Sequence, residues 1–206
     1  MTLRERGPYF AFLPNCACGR PKSGVVHALD PDQDGKILWQ TRIGEGGALG
    51  GIMWGSAADQ DHVYVANSDV RFAGGGLNLD PNKGGGLFAL DLATGKISTQ
   101  VPPVPCGDRS RCSPALAAAV TAIPGVVFSG GMSGYLRAYA TDDARLLWEV
   151  DTAREYATVN GGSARGGAMD GPGPAVVDGM LYVNSGYAQW GGQPGNVLLA
   201  FEVGTP

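Results

Sequence analysis

Apolar and polar positions alternate with a period of two in short runs along the chain, and Gly- and Asp-rich turns close each run. The stretch "SGVVHALDPDQDGKILW", Ser23 to Trp39, sets the pattern. It returns as "GGLFALDLATGKIST" from Gly85, "SGYLRAYATDDARLLW" from Ser133 and "GNVLLAFEV" from Gly195. Alternation of this kind, rich in β-branched and aromatic residues, predicts half-buried strands. Between these units lie further alternating runs, "HVYVANS", "GVVFSGG" and "MLYVNSG". Each follows a stretch of small residues and a tight turn: "GSAADQD", "SPALAAAVTAIPG" and "GPAVVDG". The complete unit therefore reads as four antiparallel strands: a small-residue strand, a Tyr/Val/Phe strand, the "ALD" strand, and a strand ending in Trp.

The anchors Ala28, Ala89, Ala138 and Ala200 are spaced 61, 49 and 62 residues apart. Four-stranded units recurring at this scale predict β-propeller blades, whose innermost strands crowd towards the ring axis and favour Gly and Ala. Trp39 and Trp148 stand at the same offset from their turns, so each ring is expected to pack against the neighbouring blade. Thr99 holds that place in the middle unit, where the contact must be filled differently. The turn "DPDQDG" resembles the start of a calcium-binding helix–loop–helix motif. Thr41 stands where that loop needs a bidentate Glu, and strands flank it, so it reads as a hairpin turn capped by its own Asp side chains.

In an up-and-down blade, successive connections fall at alternate ends. One set here is short, and the other includes residues 45–55, 68–86, 101–114, 152–174 and 186–195. Long loops on a rigid scaffold carry function, so this end is the expected functional face. Asp69, Asp80 and Asp170 supply oxygens of the type a hard cation takes. Arg165, Lys83 and Asn160 are of the type that meets an anion, while Trp54 and Trp190 offer rings for stacking. Each is equally readable as an ordinary loop residue. The Gly-rich tracts are not followed by helices and so do not read as phosphate loops, and neither His27 nor His62 sits in a Ser/His arrangement.

Composition narrows the picture further. The 206 residues include 34 Gly and 14 Pro, yet 44% are hydrophobic, enough for a core. A net charge of -4 and the lack of a Lys/Arg cluster argue against nucleic acid or an anionic membrane surface as partner. No run is long enough to span a membrane, and "PYFAFLP" is too short for a signal-peptide core, so the chain as written is expected to stay in the cytoplasm. Of the four cysteines, Cys106 and Cys112 enclose a small polar loop, "CGDRSRC", readable as a disulfide or as two reduced thiols. "CACGR" lacks the spacing of a covalent haem site.

The signature "ALDLATGK" with a downstream Trp resembles the repeat of pyrroloquinoline quinone (PQQ)-dependent dehydrogenases. The loop-containing stretches "GGALGGIMWGSAADQDHVYVANSD", "PPVPCGDRSRCSPA" and "DGPGPAVVDGMLYVNSGYAQWGGQPGNVLLAF" are similar to the C-terminal part of the polyvinyl alcohol dehydrogenases. The resemblance runs from Lys22 to Val203. It implies an all-β fold, a partial ring of about four blades from an eight-bladed parent. It also implies a periplasmic enzyme binding PQQ with calcium, oxidising a secondary alcohol and passing electrons to cytochrome c. On that basis Asp170 is the expected base, Arg165, Asn160, Trp54 and Trp190 the cofactor contacts, and Asp69 and Asp80 the metal ligands. Residues 22–206 are the expected partial propeller, comprising half a blade, two full blades and three strands of another. Residues 1–21, with no alternation, read as a disordered or frameshifted leader. So small a share of a ring is expected to be inactive alone and to associate through open blade edges. The alternative is a propeller serving as a binding or assembly scaffold without catalysis.

Overall fold

The computed structural model describes residues 22–186 and 189–202, and the expectation for residues 1–21 falls outside them. Strands β1 (Val25–Asp30) and β2 (Lys36–Arg42) form an antiparallel hairpin. Strands β3 (Ala57–Ala58), β4 (His62–Ala66), β5 (Leu87–Asp91) and β6 (Ile97–Val101) make a four-stranded sheet in chain order. A second such sheet contains β7 (Thr121–Ile123), β8 (Val126–Gly130), β9 (Tyr135–Ala140) and β10 (Leu146–Asp151). A small hairpin follows, β11 (Glu155–Ala157) with β12 (Ser163–Arg165). The last sheet has three strands, β13 (Ala175–Val177), β14 (Met180–Ser185) and β15 (Val197–Glu202). Half a blade, two full blades and three strands of another are therefore present, as the repeat predicts.

Three apolar seams hold the sheets face to face. Val26 and Ile43 pack with Val63, Val65, Phe88 and Leu90 in the first. Tyr64, Ala66, Leu87 and Ala89, on the opposite face of the same sheet, pack with Val127 and Tyr139 in the second. Leu136 packs with Leu181, Val183, Val197 and Leu199 in the third. Alternation along β4 thus feeds two different seams, which is why each blade needs both neighbours.

The tryptophans do the expected inter-blade work. Trp39 lies against the turn after β5, and its Nε1 donates to the Leu92 carbonyl at 3.1 Å. Trp148 meets Phe201 edge-on, with ring centroids 5.2 Å apart. In the middle seam Thr99 replaces the indole, and Tyr139 fills much of the space. Tyr139 occupies the position that Leu90 holds in the first seam and Phe201 in the third.

The Asp/Gly turns have matching chemistry. Asp30 accepts from the Asp32 amide at 3.0 Å and caps a short 3-10 turn at Pro31–Gln33, so "DPDQDG" is a hairpin turn. Gly95 has φ +70°, and a Cβ there would overlap Cδ2 and Cε3 of Trp39. Ala144, the equivalent residue facing Thr99, tolerates its Cβ because no indole is present. Gly95→Ala is accordingly expected to cost about 2–3 kcal/mol, combining left-handed strain with displacement of the ring. Urea unfolding checks this, and an equal loss in a Gly95→Ala/Trp39→Thr double variant would mean that the ring is not the cause.

Two readings need correction. The small-residue strand expected within "SPALAAAVTAIPG" is shorter than the run, since only Thr121–Ile123 pairs in the sheet. Its earlier amides bond neighbouring loops instead: Leu116 to the Asn67 carbonyl, Ala119 to Gly171 and Val120 to Gly55. Secondly, residues 152–174 are not only loop, since they contain the β11–β12 hairpin.

Candidate functional site

The long connections do gather on one end, and hydrogen bonds tie them in series. The Ser68 amide donates to the Gly51 carbonyl, Leu116 to Asn67, Met132 to Ala115, Met169 to Gly131, and Gly186 to Ala168. Beneath this ladder the loops have an apolar core of their own, built from Val70, Leu79, Ala115, Ala117, Met132 and Ala168. The loop end is therefore hydrogen-bonded and packed in its own right.

Two of the expected residues meet here. Asp170 immediately precedes the Gly171–Pro174 segment that leads into β13, and Trp54 lies just before β3. These innermost strands both touch β7, bringing their lead-in segments together near the ring axis. Gly173 is required for this closeness, because a Cβ there would strike the Ala119 carbonyl. Trp54 Nε1 donates to Asp170 Oδ1 at 3.4 Å, and the indole is half exposed. Asp170 is only 4% exposed, yet its Oδ2 has no hydrogen-bond partner. Burial pushes this carboxyl above the usual carboxylate range; the Trp54 bond and the charge of Lys22 only partly offset it. In the sequence Lys22 stands at the edge of the non-repeating segment. Nothing local in its surroundings signals a role.

The other expected residues are used differently. Asp69, an expected metal ligand, has both its oxygens committed. Oδ2 accepts from the Glu45 amide at 2.8 Å and from Asn67 Nδ2 at 2.9 Å. Oδ1 accepts from the amides of Gly46 at 2.9 Å and Gly51 at 2.8 Å. Burial opposes the charge, but these donors outweigh it and hold the carboxyl below its ordinary range. Asp69 therefore closes the loop between β2 and β3. Asp80 Oδ1 accepts from the Asn82 amide at 2.9 Å, capping its own turn. Among the described residues no group of three or more His, Cys, Asp or Glu is placed to hold a metal ion. The Asp69/Asp80 pair does not fit calcium, which takes ~6–8 oxygens.

Arg165 pairs with Glu155 at 3.6 Å at the base of the β11–β12 hairpin, and Asn160 accepts from the Thr158 hydroxyl at its tip. Trp190 is half exposed on the β14–β15 connection, and Lys83 is exposed. Cys106 and Cys112 are joined as a disulfide, with Cα atoms 6.0 Å apart. Within the loop they close, Arg109 donates to both oxygens of Asp151 and to the Ser133 carbonyl at 2.8 Å, pinning the loop to the β7–β10 sheet.

Comparison with known proteins adds to this geometry. Residues 22–99 match the family described as outer membrane protein assembly factor BamB. The chain is 45% identical to polyvinylalcohol dehydrogenase of Pseudomonas sp. over 194 residues, covering 88% of this chain and 29% of that protein. Among solved structures, BamB from Moraxella catarrhalis superposes with a TM-score of 0.52 at 22% identity, covering 87% of this chain and 40% of its own. Quinohemoprotein alcohol dehydrogenase from Comamonas testosteroni gives 0.52 at 20% identity, covering 79% and 26%. These two likenesses establish the propeller fold. No helix among the described residues is long and apolar enough to cross a membrane.

Proposed function

We propose that this chain, which resembles polyvinylalcohol dehydrogenase through blades and loops alike, is a segment of a PQQ-dependent dehydrogenase acting on polymeric secondary alcohols. The chain spans under a third of that relative's length, so the complete activity belongs to the longer protein. The observation that carries the reading is Asp170: a buried carboxylate on the loop face, raised in pKa, with one oxygen unpartnered. A buried carboxylate with an unsatisfied oxygen and a raised pKa is the kind of group that supports a binding or catalytic reading.

In this reading Asp170 Oδ2 takes the hydroxyl proton of the alcohol while the carbinol carbon gives up a hydride and becomes a carbonyl. Bound PQQ supplies the acceptor for that hydride, and cytochrome c takes the electrons afterwards. Trp54 presents a half-exposed ring beside the carboxylate, suited to stacking on a planar quinone, and holds Asp170 Oδ1 in place. Lys22 adds a cation within electrostatic reach, which favours an anionic cofactor. A periplasmic setting accords with the Cys106–Cys112 bridge, since disulfides persist in oxidising compartments.

The BamB-family match favours a second reading, an assembly scaffold without catalysis, though it ends at residue 99, well before Asp170. Titrating the purified chain with PQQ and calcium, followed by dye reduction with a secondary alcohol, separates the two. Saturable binding is the expected result, with turnover restricted to the protein that completes the ring. A folded chain that takes up no PQQ would favour the scaffold.

A further inference from the structure

A groove distinct from the Asp170 region follows the seam between the β3–β6 and β7–β10 sheets. It encloses about 500 Å³ between Val101, Val104 and Pro105 on one side and Tyr135, Arg137 and Tyr139 on the other. The Cys106–Cys112 bridge closes its loop end. It adjoins the small gap lined by Thr99, with which it shares Val101, Tyr139 and Ala144. That small gap lies where this seam carries Thr99 and the flanking seams carry Trp39 and Trp148.

The walls combine apolar side chains with a few charged ones, and the charges are balanced. Arg109 holds Asp151, and Arg137 Nε pairs with Glu149 Oε2. The two guanidinium carbons stand 4.7 and 4.8 Å from the Tyr135 ring centre, which stiffens the aromatic wall. A charged ligand gains no net attraction from such a surface. A neutral one bearing hydroxyls finds guanidinium donors, carboxylate acceptors and apolar surface between them. The four-residue advance from Tyr135 to Tyr139 along β9 covers about 13 Å, longer than a single small alcohol needs.

We propose that this groove holds a neutral polyhydroxylated chain: a stretch of polymeric secondary alcohol remote from the carbon being oxidised. The substrate chemistry rests on the function proposed above, whereas the groove's shape and charge balance do not. Contacts with a remote stretch contribute binding energy that lowers KM for polymer but not for a small alcohol.

The test is calorimetric titration of the chain, without PQQ, using polyvinyl alcohol oligomers and, separately, 2-propanol. Saturable binding of the oligomers and none of 2-propanol is expected. Tyr135→Ala should weaken the oligomers about tenfold by removing the aromatic wall. Val104→Arg alters a half-exposed lining residue and should weaken them similarly with unchanged thermal unfolding, which covers the case of Tyr135→Ala failing to fold. Equal affinity in the wild type and the folded variants overturns the proposal, as does a folded wild type that binds no oligomer. This readout needs neither cofactor nor turnover, so it can fail while PQQ binding holds, and hold while PQQ binding fails.

Discussion

Asp170→Asn in the PQQ-loaded protein is expected to lower the turnover of a secondary alcohol by about 10²–10⁴, the usual contribution of a positioned general base. The same change should make the chain more stable at neutral pH. Asp170 carries its charge in a buried place with one 3.4 Å hydrogen bond and an oxygen left over, an arrangement that favours the protonated form. Its folded-state pKa is raised, so between the ordinary carboxylate value and the folded value the native state binds more protons than the unfolded chain. Stability therefore falls as pH rises through that window and stays lower above it. The amide has no charge to desolvate and escapes this penalty. A gain of about 1 kcal/mol would raise Tm by roughly 2–4 °C at this chain length. The kinetic signature has the same origin: wild-type kcat/KM should climb with pH through a pKa above the ordinary carboxylate range, as the base loses its proton. Loss of stability with turnover intact would make Asp170 a structural residue and remove the observation on which the proposed chemistry stands.

Asp69→Ala is expected to be the most destabilising single change on the loop face, by about 3–5 kcal/mol, because it strips the acceptor from four donors at once. Three of them are backbone amides of the segment from Glu45 to Gly51, and the fourth is the Asn67 side chain. Asp69 itself sits at φ +43°, a conformation Asp adopts more readily than Ala. Asp69→Asn keeps the backbone preference and one acceptor oxygen, so it should lose less. Here the pH dependence has the opposite sign to that of Asp170. The folded pKa is depressed, so the stabilisation is complete above the unfolded value of ~3.9 and is lost as pH falls through the folded value. Urea unfolding at neutral and acid pH measures both effects. A difference between wild type and Asp69→Asn that did not shrink in acid would show that charge is not what holds the loop.

The contrast between these two aspartates explains how much could be read from the chain. Strand alternation and the "ALD" anchors are local properties, visible within a few residues, and they identified the blades and their seams. The Trp39 contact was legible because an indole at a turn-relative position has few other places to go. Thr99 signalled that its seam differs, but the filling residue, Tyr139, lies on the next blade and is set by packing. The β11–β12 hairpin does have a local signal, because Asn160-Gly161 between short alternating runs is a hairpin turn sequence. The roles of Asp69 and Asp170 were not legible. Both are loop aspartates followed within two residues by unremarkable neighbours, and their difference lies in what faces them. Asp69 meets three amides from a loop some twenty residues earlier and the side chain of nearby Asn67, whereas Asp170 meets one indole from more than a hundred residues away.

The serial bonds linking Gly51 to Ser68, Asn67 to Leu116, Ala115 to Met132, Gly131 to Met169, and Ala168 to Gly186 bear on how such a protein can change. They are backbone bonds, indifferent to side-chain identity, and they fasten each connection to the next. The stretches between fastenings differ widely in length, as the contrast between the stretch from Ser68 to Gly86 and the short Gly130–Gly134 connection shows. Selection can therefore trade one chemistry for another on this face while the fastenings stay fixed. A catalyst and a docking platform can share such a frame and differ only in what is suspended from it.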